Sequence, residues 1–177
     1  QETVPSSGWK IEKVSDRKVR DEWKPLWGKR AVVEDHFNEL VIDLVNPAGQ
    51  LERMQLVVRG YNDGFAFCYK IPDGKGLCVN VQSELTAYNF AGDYTAWFYN
   101  GENHNIGPEK LTETDGTRLP VMTVKAGDKH YMAIHEACLE TGAPLVLQSK
   151  GGESLFSVAS KPTSLSPGYT SAWRVVL

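Results

Sequence analysis

The chain has 177 residues, of which 41% are hydrophobic and 23% charged, and its formal net charge at pH 7 is −3. At this length a single domain can bury roughly 70% of the surface that the unfolded chain exposes, so a sizeable core is expected. Charges of both signs are scattered without a run of Lys or Arg, which argues against nucleic acid as a partner. No apolar run approaches the ~18 residues that a membrane span needs, and the first residues lack the pattern of a signal peptide.

Residues 1–26 are predicted to be a lead-in to the main domain. An alternating pattern typical of a strand begins at Trp9. The stretch 15–24 is dense in charge and leaves almost no apolar face to bury, so it could be an exposed loop or a short helix. Of these two, we predict the loop.

The clearest local signal is a β-hairpin centred on Asn62-Asp63-Gly64. Apolar and polar residues alternate over 54–59 on one side and over 65–71 on the other. Gly64 can take the positive φ that a short hairpin loop needs, while Asn62 and Asp63 can close the turn through their own backbone. A hairpin shows how the chain folds and does not show what it binds.

Short strands are predicted along the rest of the chain, and no helical period persists. They cover residues 37–44, 77–81, 84–90, 94–99, 120–125, 130–135, 145–147, 154–159 and 172–177. Residues 100–119 are polar and lack periodicity, which predicts one long loop. About a dozen short strands with regular turn signals predict an all-β fold, an antiparallel β-sandwich.

Three cysteines, Cys68, Cys78 and Cys138, form no CxxC motif. They could be three half-buried thiols. Alternatively, Cys68 and Cys78 could face each other across a second hairpin turning at residues 72–76, and an oxidising compartment would then link them.

Motifs that carry chemistry are absent. His135-Glu136 begins like a zinc protease motif, but Leu139 stands where the second His is needed. A zinc site of His130, His135 and Cys138 is discouraged because the two histidines would point to opposite faces of a strand. No nucleophile elbow, P-loop or dinucleotide fingerprint occurs, and no spacing selects a pair of carboxylates. From the residues alone the interpretation stops at a β-sandwich, with carbohydrate binding suggested by the Trp and Tyr content.

An ordered set of motifs adds to this. They are Trp27-Gly28-Lys29-Arg30, His36-Phe37-Asn38-Glu39-Leu40, Arg59-Gly60-Tyr61-Asn62-Asp63-Gly64-Phe65-Ala66-Phe67, Glu84-Leu85-Thr86-Ala87-Tyr88-Asn89-Phe90, Ala96-Trp97, His135-Glu136-Ala137 and Trp173-Arg174-Val175-Val176. Together they resemble the N-terminal domain of glycoside hydrolase family 97, over residues 27–177 and only the later part of that domain. Its members are α-glucosidases and α-galactosidases, typically exported by polysaccharide-degrading bacteria, so the resemblance implies a periplasmic or secreted protein.

The resemblance implies that residues 27–177 form a galactose mutarotase-like supersandwich, incomplete here, that packs on a (β/α)₈ barrel expected downstream. In the family that barrel carries the catalytic carboxylates, so no catalytic residue is expected in this chain. Family enzymes also need calcium, held largely by barrel glutamates with one glutamate from the N-terminal domain, which maps onto Glu136. Because Ca²⁺ takes six to eight oxygen ligands, one carboxylate supplies only part of such a site. Without the family, Glu136 would be interpreted as an ordinary solvated or ion-paired side chain.

The function that the resemblance implies is an exo-acting, calcium-dependent α-glycosidase acting on an oligo- or polysaccharide, in which this chain supports the barrel and walls one side of the substrate pocket. The rival is a free-standing, non-catalytic carbohydrate-binding module. Trp27, Trp97 and Trp173 could stack on sugar rings, but we predict core or interdomain anchors. For Arg59 and Arg174 we predict stems over apolar surface and solvated heads. Cys68 departs from the family, which usually has Arg at that place.

Overall fold

The computed structural model describes residues 8–49, 51–74, 78–81, 84–102, 105–140, 144–149, 155–158 and 163–177. These ranges contain fourteen β-strands and no helix, so none of them holds a helix that could cross a bilayer. The strands are β1 (Lys10–Trp23), β2 (Val33–Val45), β3 (Arg53–Gly60), β4 (Phe65–Lys70), β5 (Val79–Val81), β6 (Ala87–Asn89), β7 (Thr95–Tyr99), β8 (Ile106–Lys110), β9 (Thr117–Ala126), β10 (His130–Ala137), β11 (Leu147–Ser149), β12 (Leu155–Val158), β13 (Thr163–Leu165) and β14 (Trp173–Val176).

Twelve of these strands form one antiparallel sheet. Its order is β1-β2-β3-β4-β14-β10-β9-β11-β12-β6, with β7 pairing β9 and β8 pairing β7, while β5 and β13 pair separately. The sheet branches at β9, whose later half pairs with β10 and β7 and whose first residues pair with β11. The predicted all-β, antiparallel fold is confirmed.

The main core lies between the long part of the sheet and its β11-β12-β6 extension. Its fully buried members are Ala96, Phe98, Leu111, Met122, Val124, Ile134, Leu145 and Leu147, and Tyr88 and Phe90 pack against them. Because successive strand residues point to opposite faces, one face of β7, β9 and β10 lines this core and the other looks outward. We call these the core face and the outer face of the sheet.

The predicted loop at residues 15–24 is wrong. Strand β1 pairs with β2 from Lys10 opposite Val45 to Trp23 opposite Val33. Strand β1 lies at the edge of the sheet, so it can remain exposed to solvent. Charged residues are common in such exposed edge strands. An ion pair between Arg17 and Glu39 also ties this charged strand to its neighbour.

The predicted long loop at residues 100–119 is also wrong. Strand β8 lies within it and pairs with β7, and β9 begins at Thr117. Pro108 hid the strand from pattern analysis, because proline cannot donate to a ladder. It fits here because β8 pairs on one side only among the described strands.

The central hairpin is confirmed, with β3 and β4 in register from Gln55 opposite Lys70 to Gly60 opposite Phe65. The reason given for Gly64 is wrong, because its φ lies outside the left-handed region. A Cβ on Gly64 would instead collide with the backbone carbonyl oxygen of Val176 in β14. Glycine is therefore required here by close passage of a third strand.

The second hairpin, expected between residues 68 and 78, does not form. Strand β4 pairs with β3 and β14, whereas β5 pairs with β13. All three cysteines are free, with Cys68 buried and Cys78 exposed, so the Cys68–Cys78 disulfide is ruled out in this structure. Strand β14, from the far end of the chain, pairs with the edge of β4. The sequence pattern had predicted residues 77–81 in that place.

Candidate functional site

Strand pairing brings Arg174 and Glu136 together. In the pair of β10 and β14, Glu136 stands directly opposite Arg174, and on its other side Arg174 stands opposite Phe67 of β4. Arg174 Nη1 donates to Glu136 Oε2 at 3.3 Å. The Arg174 side chain is 2% exposed, so the predicted solvated head is wrong for this residue.

A second carboxylate completes the cluster. Arg174 donates to Glu84 through Nη2 at 2.8 Å to Oε2 and through Nε at 3.3 Å to Oε1. Burial alone would lower the pKa of the guanidinium, but the hydrogen bond and the charge of Glu84 outweigh burial and raise it. Arg174 is therefore a fixed positive charge between two carboxylates. We call Glu84, Glu136 and Arg174 the carboxylate cluster.

The predicted calcium ligand, Glu136, lies near the end of β10 with 13% of its side chain exposed. The backbone N–H of Leu145 donates to its Oε2 at 2.8 Å. Both hydrogen bonds that Glu136 forms with described residues are accepted by Oε2, so these two bonds orient the carboxylate. A carboxylate held in this way offers hard oxygen atoms of the kind that Ca²⁺ prefers, and it fits as one ligand. Within the described ranges no three His, Cys, Asp or Glu side chains come together as a metal site.

Hydroxyl groups extend the carboxylate cluster. Thr86 Oγ1 donates to Glu84 Oε1 at 2.8 Å, and the Tyr69 hydroxyl lies 2.9 Å from Thr86 Oγ1. The Tyr88 hydroxyl is buried and has no hydrogen-bond partner among the described residues. Burial raises the pKa of both tyrosines, so both are neutral donors at physiological pH.

A second charged group lies on the outer face, around Arg59. Its guanidinium sits 4.2 Å from the Phe37 ring centroid and 4.5 Å from that of Trp173, and Arg59 Nε donates to Glu39 Oε2 at 2.8 Å. Burial opposes ionisation of Glu39, but hydrogen bonds from Arg17 and Arg59 outweigh it and lower the pKa. The Arg59 side chain stays 25% exposed, while the Phe37 and Trp173 rings lie against its guanidinium.

An apolar groove of about 340 Å³ opens beside Arg59 and is lined by Tyr61, Phe65, Trp173 and Val175 among others. Trp173 and Arg174 are adjacent in β14, so this groove and the carboxylate cluster lie on opposite faces of the sheet. Trp27 is 87% exposed and takes no part in the core of this chain.

Sequence reasoning found Glu136 only through the resemblance, and it missed the roles of Arg174 and Glu84. One signal was available. Glu84, Thr86 and Tyr88 share a period of two, which places them on one face of a strand or extended segment, and they do meet in the cluster.

The fold and the site define an antiparallel β-sandwich domain with a buried arginine between two carboxylates. The profile of the glycosyl-hydrolase 97 N-terminal family matches residues 2–177, and the chain belongs to that family. The match takes in β1 as well as the motifs from Trp27 onward.

Solved structures that share this fold include family 97 enzymes and a β-arabinopyranosidase. A Glycoside Hydrolase Family 97 enzyme in complex with acarbose, from Pseudoalteromonas sp. strain K8, is 24% identical over 97% of this chain, with a TM-score of 0.85. An arginine-to-lysine variant from the same strain is 25% identical over 97% of the chain, with a TM-score of 0.84. A β-arabinopyranosidase is 15% identical over 95% of the chain, with a TM-score of 0.77. The chain spans 28%, 28% and 31% of the lengths of these three proteins.

Proposed function

We propose that this chain is the N-terminal β-sandwich domain of an exo-acting, calcium-dependent α-glycosidase, an α-glucosidase or α-galactosidase that is periplasmic or secreted. Membership of the glycosyl-hydrolase 97 N-terminal family supports the glycoside hydrolase context. Family 97 structures in complex with acarbose and with panose support a saccharide substrate. The fold is shared with a β-arabinopyranosidase, so the sandwich does not by itself choose the sugar.

The observation that carries the proposal is the fixed position of the Glu136 carboxylate. Arg174 and the Leu145 amide both donate to Oε2, which orients the group. Glu136 would then supply one calcium ligand, with the remaining ligands supplied by the barrel. When bound, calcium supplies a fixed positive charge that coordinates oxygen atoms beside the substrate.

In this proposal the chain breaks no bond. A barrel carboxylic acid protonates the leaving oxygen, and a second carboxylate either activates water or attacks the sugar. The task of the chain is positional: the sandwich supports the barrel and forms one side of the pocket, and Arg174 holds the Glu136 carboxylate in place. Glu136 and Arg174 face each other in the β10–β14 ladder, so the backbone hydrogen bonds of the sheet fix the position of each relative to the other.

The test compares Glu136→Gln with Glu140→Gln in the full-length protein. Glu140 is exposed and lies four positions further along the chain, so its variant repeats the chemical change outside the cluster. We expect calcium affinity, measured by calorimetry, to fall about tenfold or more for Glu136→Gln and to stay unchanged for Glu140→Gln. Equal affinities in the two variants would contradict the assignment of Glu136.

Activity tests the wider proposal. The full-length protein should hydrolyse an aryl α-glycoside, and chelation of calcium should abolish the reaction. A reading frame without room for a barrel, or a protein that binds saccharides and cleaves none, would favour the carbohydrate-binding module instead.

A further inference from the structure

A second groove lies on the outer face of the sheet, away from Arg59. It encloses about 400 Å³ and is lined by Trp97, Tyr99, Asn105, Val121, Thr123 and Tyr131. Three neighbouring strands build it, since Trp97 of β7 stands opposite Thr123 of β9 and β9 pairs with β10. Tyr131 is 57% exposed and Tyr99 38% exposed, so two aromatic side chains face solvent. We call this the aromatic groove.

Strand alternation separates the aromatic groove from the carboxylate cluster. Ala96 and Val124 are fully buried in the core, so the side chains of their neighbours Trp97 and Thr123 point to the outer face. Tyr131 and Glu136 are five positions apart in β10, which places their side chains on opposite faces. A ligand in the aromatic groove would therefore not touch Glu136.

The lining selects a chemical class of ligand. Three aromatic rings offer flat apolar surface, while the Asn105 amide and the Thr123 hydroxyl offer hydrogen bonds, and none of the described lining residues is charged. A pyranose ring matches it, because it presents an apolar C–H face to an aromatic ring and hydroxyl groups at its edge.

The surroundings favour a small ligand over a protein. A stable protein contact buries about 800 Å² on each partner. The groove holds only about 400 Å³, and the turn that joins β9 to β10, residues 127–129, is polar and exposed. From these observations we infer that the aromatic groove is a carbohydrate-binding subsite for a short stretch of a neutral oligosaccharide, separate from the site that contains Glu136. The inference extends the saccharide substrate of the proposed function to a second contact, and it rests on that proposal.

The experiment measures retention of the full-length protein in native gels that contain soluble starch or galactomannan, alongside hydrolysis of an aryl α-glycoside. The variants are Tyr131→Ala and Trp97→Ala, and the control is Trp27→Ala, which removes an exposed tryptophan outside the groove. Thermal unfolding shows whether each variant is folded. Because Tyr131 is largely exposed, its variant keeps the test informative if Trp97→Ala fails to fold.

We expect the affinity for one of the polysaccharides, measured from retention in the gel, to fall about tenfold in both groove variants. The affinity of Trp27→Ala should be unchanged. The KM for the small aryl glycoside should stay at the wild-type value. Unchanged retention in Tyr131→Ala, or no retention of the wild-type protein in either gel, would overturn the subsite. An equal rise in the KM for the aryl glycoside would also overturn it, because the groove would then belong to the reactive site. Loss of retention in a protein that hydrolyses no glycoside would uphold the subsite and reject the proposed function.

Discussion

The guanidinium of Arg174 donates to both carboxylate oxygens of Glu84, a residue 90 positions earlier in the chain. The Arg174 side chain is almost fully buried, and removing its charge from water is costly. Two carboxylates share that one cation, so Arg174 offsets part of their negative charge. Its contribution is therefore best measured by removing the arginine.

Replacement of Arg174 by methionine should strongly destabilise the chain. Glu84 and Glu136 would both lose the buried cation that binds them, a loss of about 3–5 kcal/mol in the free energy of unfolding. The control is Arg53→Met, which breaks an ion pair with Glu12 that is exposed and screened by solvent, so it should cost far less. Urea unfolding of both variants measures the difference. Equal losses would mean that the carboxylate cluster contributes no more than a surface pair.

Gly64→Ala should destabilise the junction of β3, β4 and β14. The new methyl group would press on the Val176 carbonyl, which is backbone and cannot turn away, so a loss of about 2 kcal/mol or more is expected. Gly60→Ala is the matched control, because a Cβ there would meet only the Asn38 carbonyl at 4.0 Å and its φ is not left-handed. Urea unfolding should separate the two. A Gly64 variant as stable as the Gly60 variant would show that β14 can move aside.

The sequence patterns correctly predicted elements in which strands that are adjacent in the sequence pair with each other. The alternation around Asn62-Asp63-Gly64 and the pair of strands that became β9 and β10 are both hairpins, in which neighbouring strands in the sequence are neighbours in the sheet. Period-two patterning and turn residues are sufficient there. The same signals failed at Pro108, since an edge strand tolerates a residue that a central strand excludes.

Long-range pairing could not be predicted in this way. Nothing in the sequence near residues 65–70 indicates that β14 will pair with β4. The burial of Arg174 and the steric requirement for Gly64 therefore could not be predicted from local patterns. The candidate site shows the same limit. Glu136 was found through the resemblance, whereas the partners that orient it, Arg174 and Leu145, come from other strands and loops.

Stability should depend on the ionisation of Glu39. Its pKa in the folded chain lies below the ordinary value of 4.5, so its stabilisation is fully present above about pH 4.5 and is lost as the pH falls through the folded pKa. At pH 7, Glu39→Gln should cost about 1–2 kcal/mol, because the hydrogen bonds from Arg17 and Arg59 lose their charged acceptor. Urea unfolding between pH 7 and pH 3 should show the gap between wild type and variant narrowing below pH 4.5. Glu102→Gln, an exposed change of the same kind, serves as the control, and a gap that stays constant down to pH 3 would contradict the assignment.

The three cysteines should differ in their reaction with iodoacetamide. Burial raises the pKa of the Cys68 thiol to about 11, so at pH 8 only about one molecule in a thousand carries the reactive thiolate, and the side chain is also shielded from the reagent. Cys78 and Cys138 are exposed and free. Intact-mass measurement of the unreduced protein should therefore show two modified thiols in the folded state and three in guanidinium chloride. Peptide mapping should place the protected thiol at Cys68. Only one reactive thiol in the denatured, unreduced protein would require a disulfide, and rapid reaction of Cys68 in the folded state would show that the sheet opens at β4.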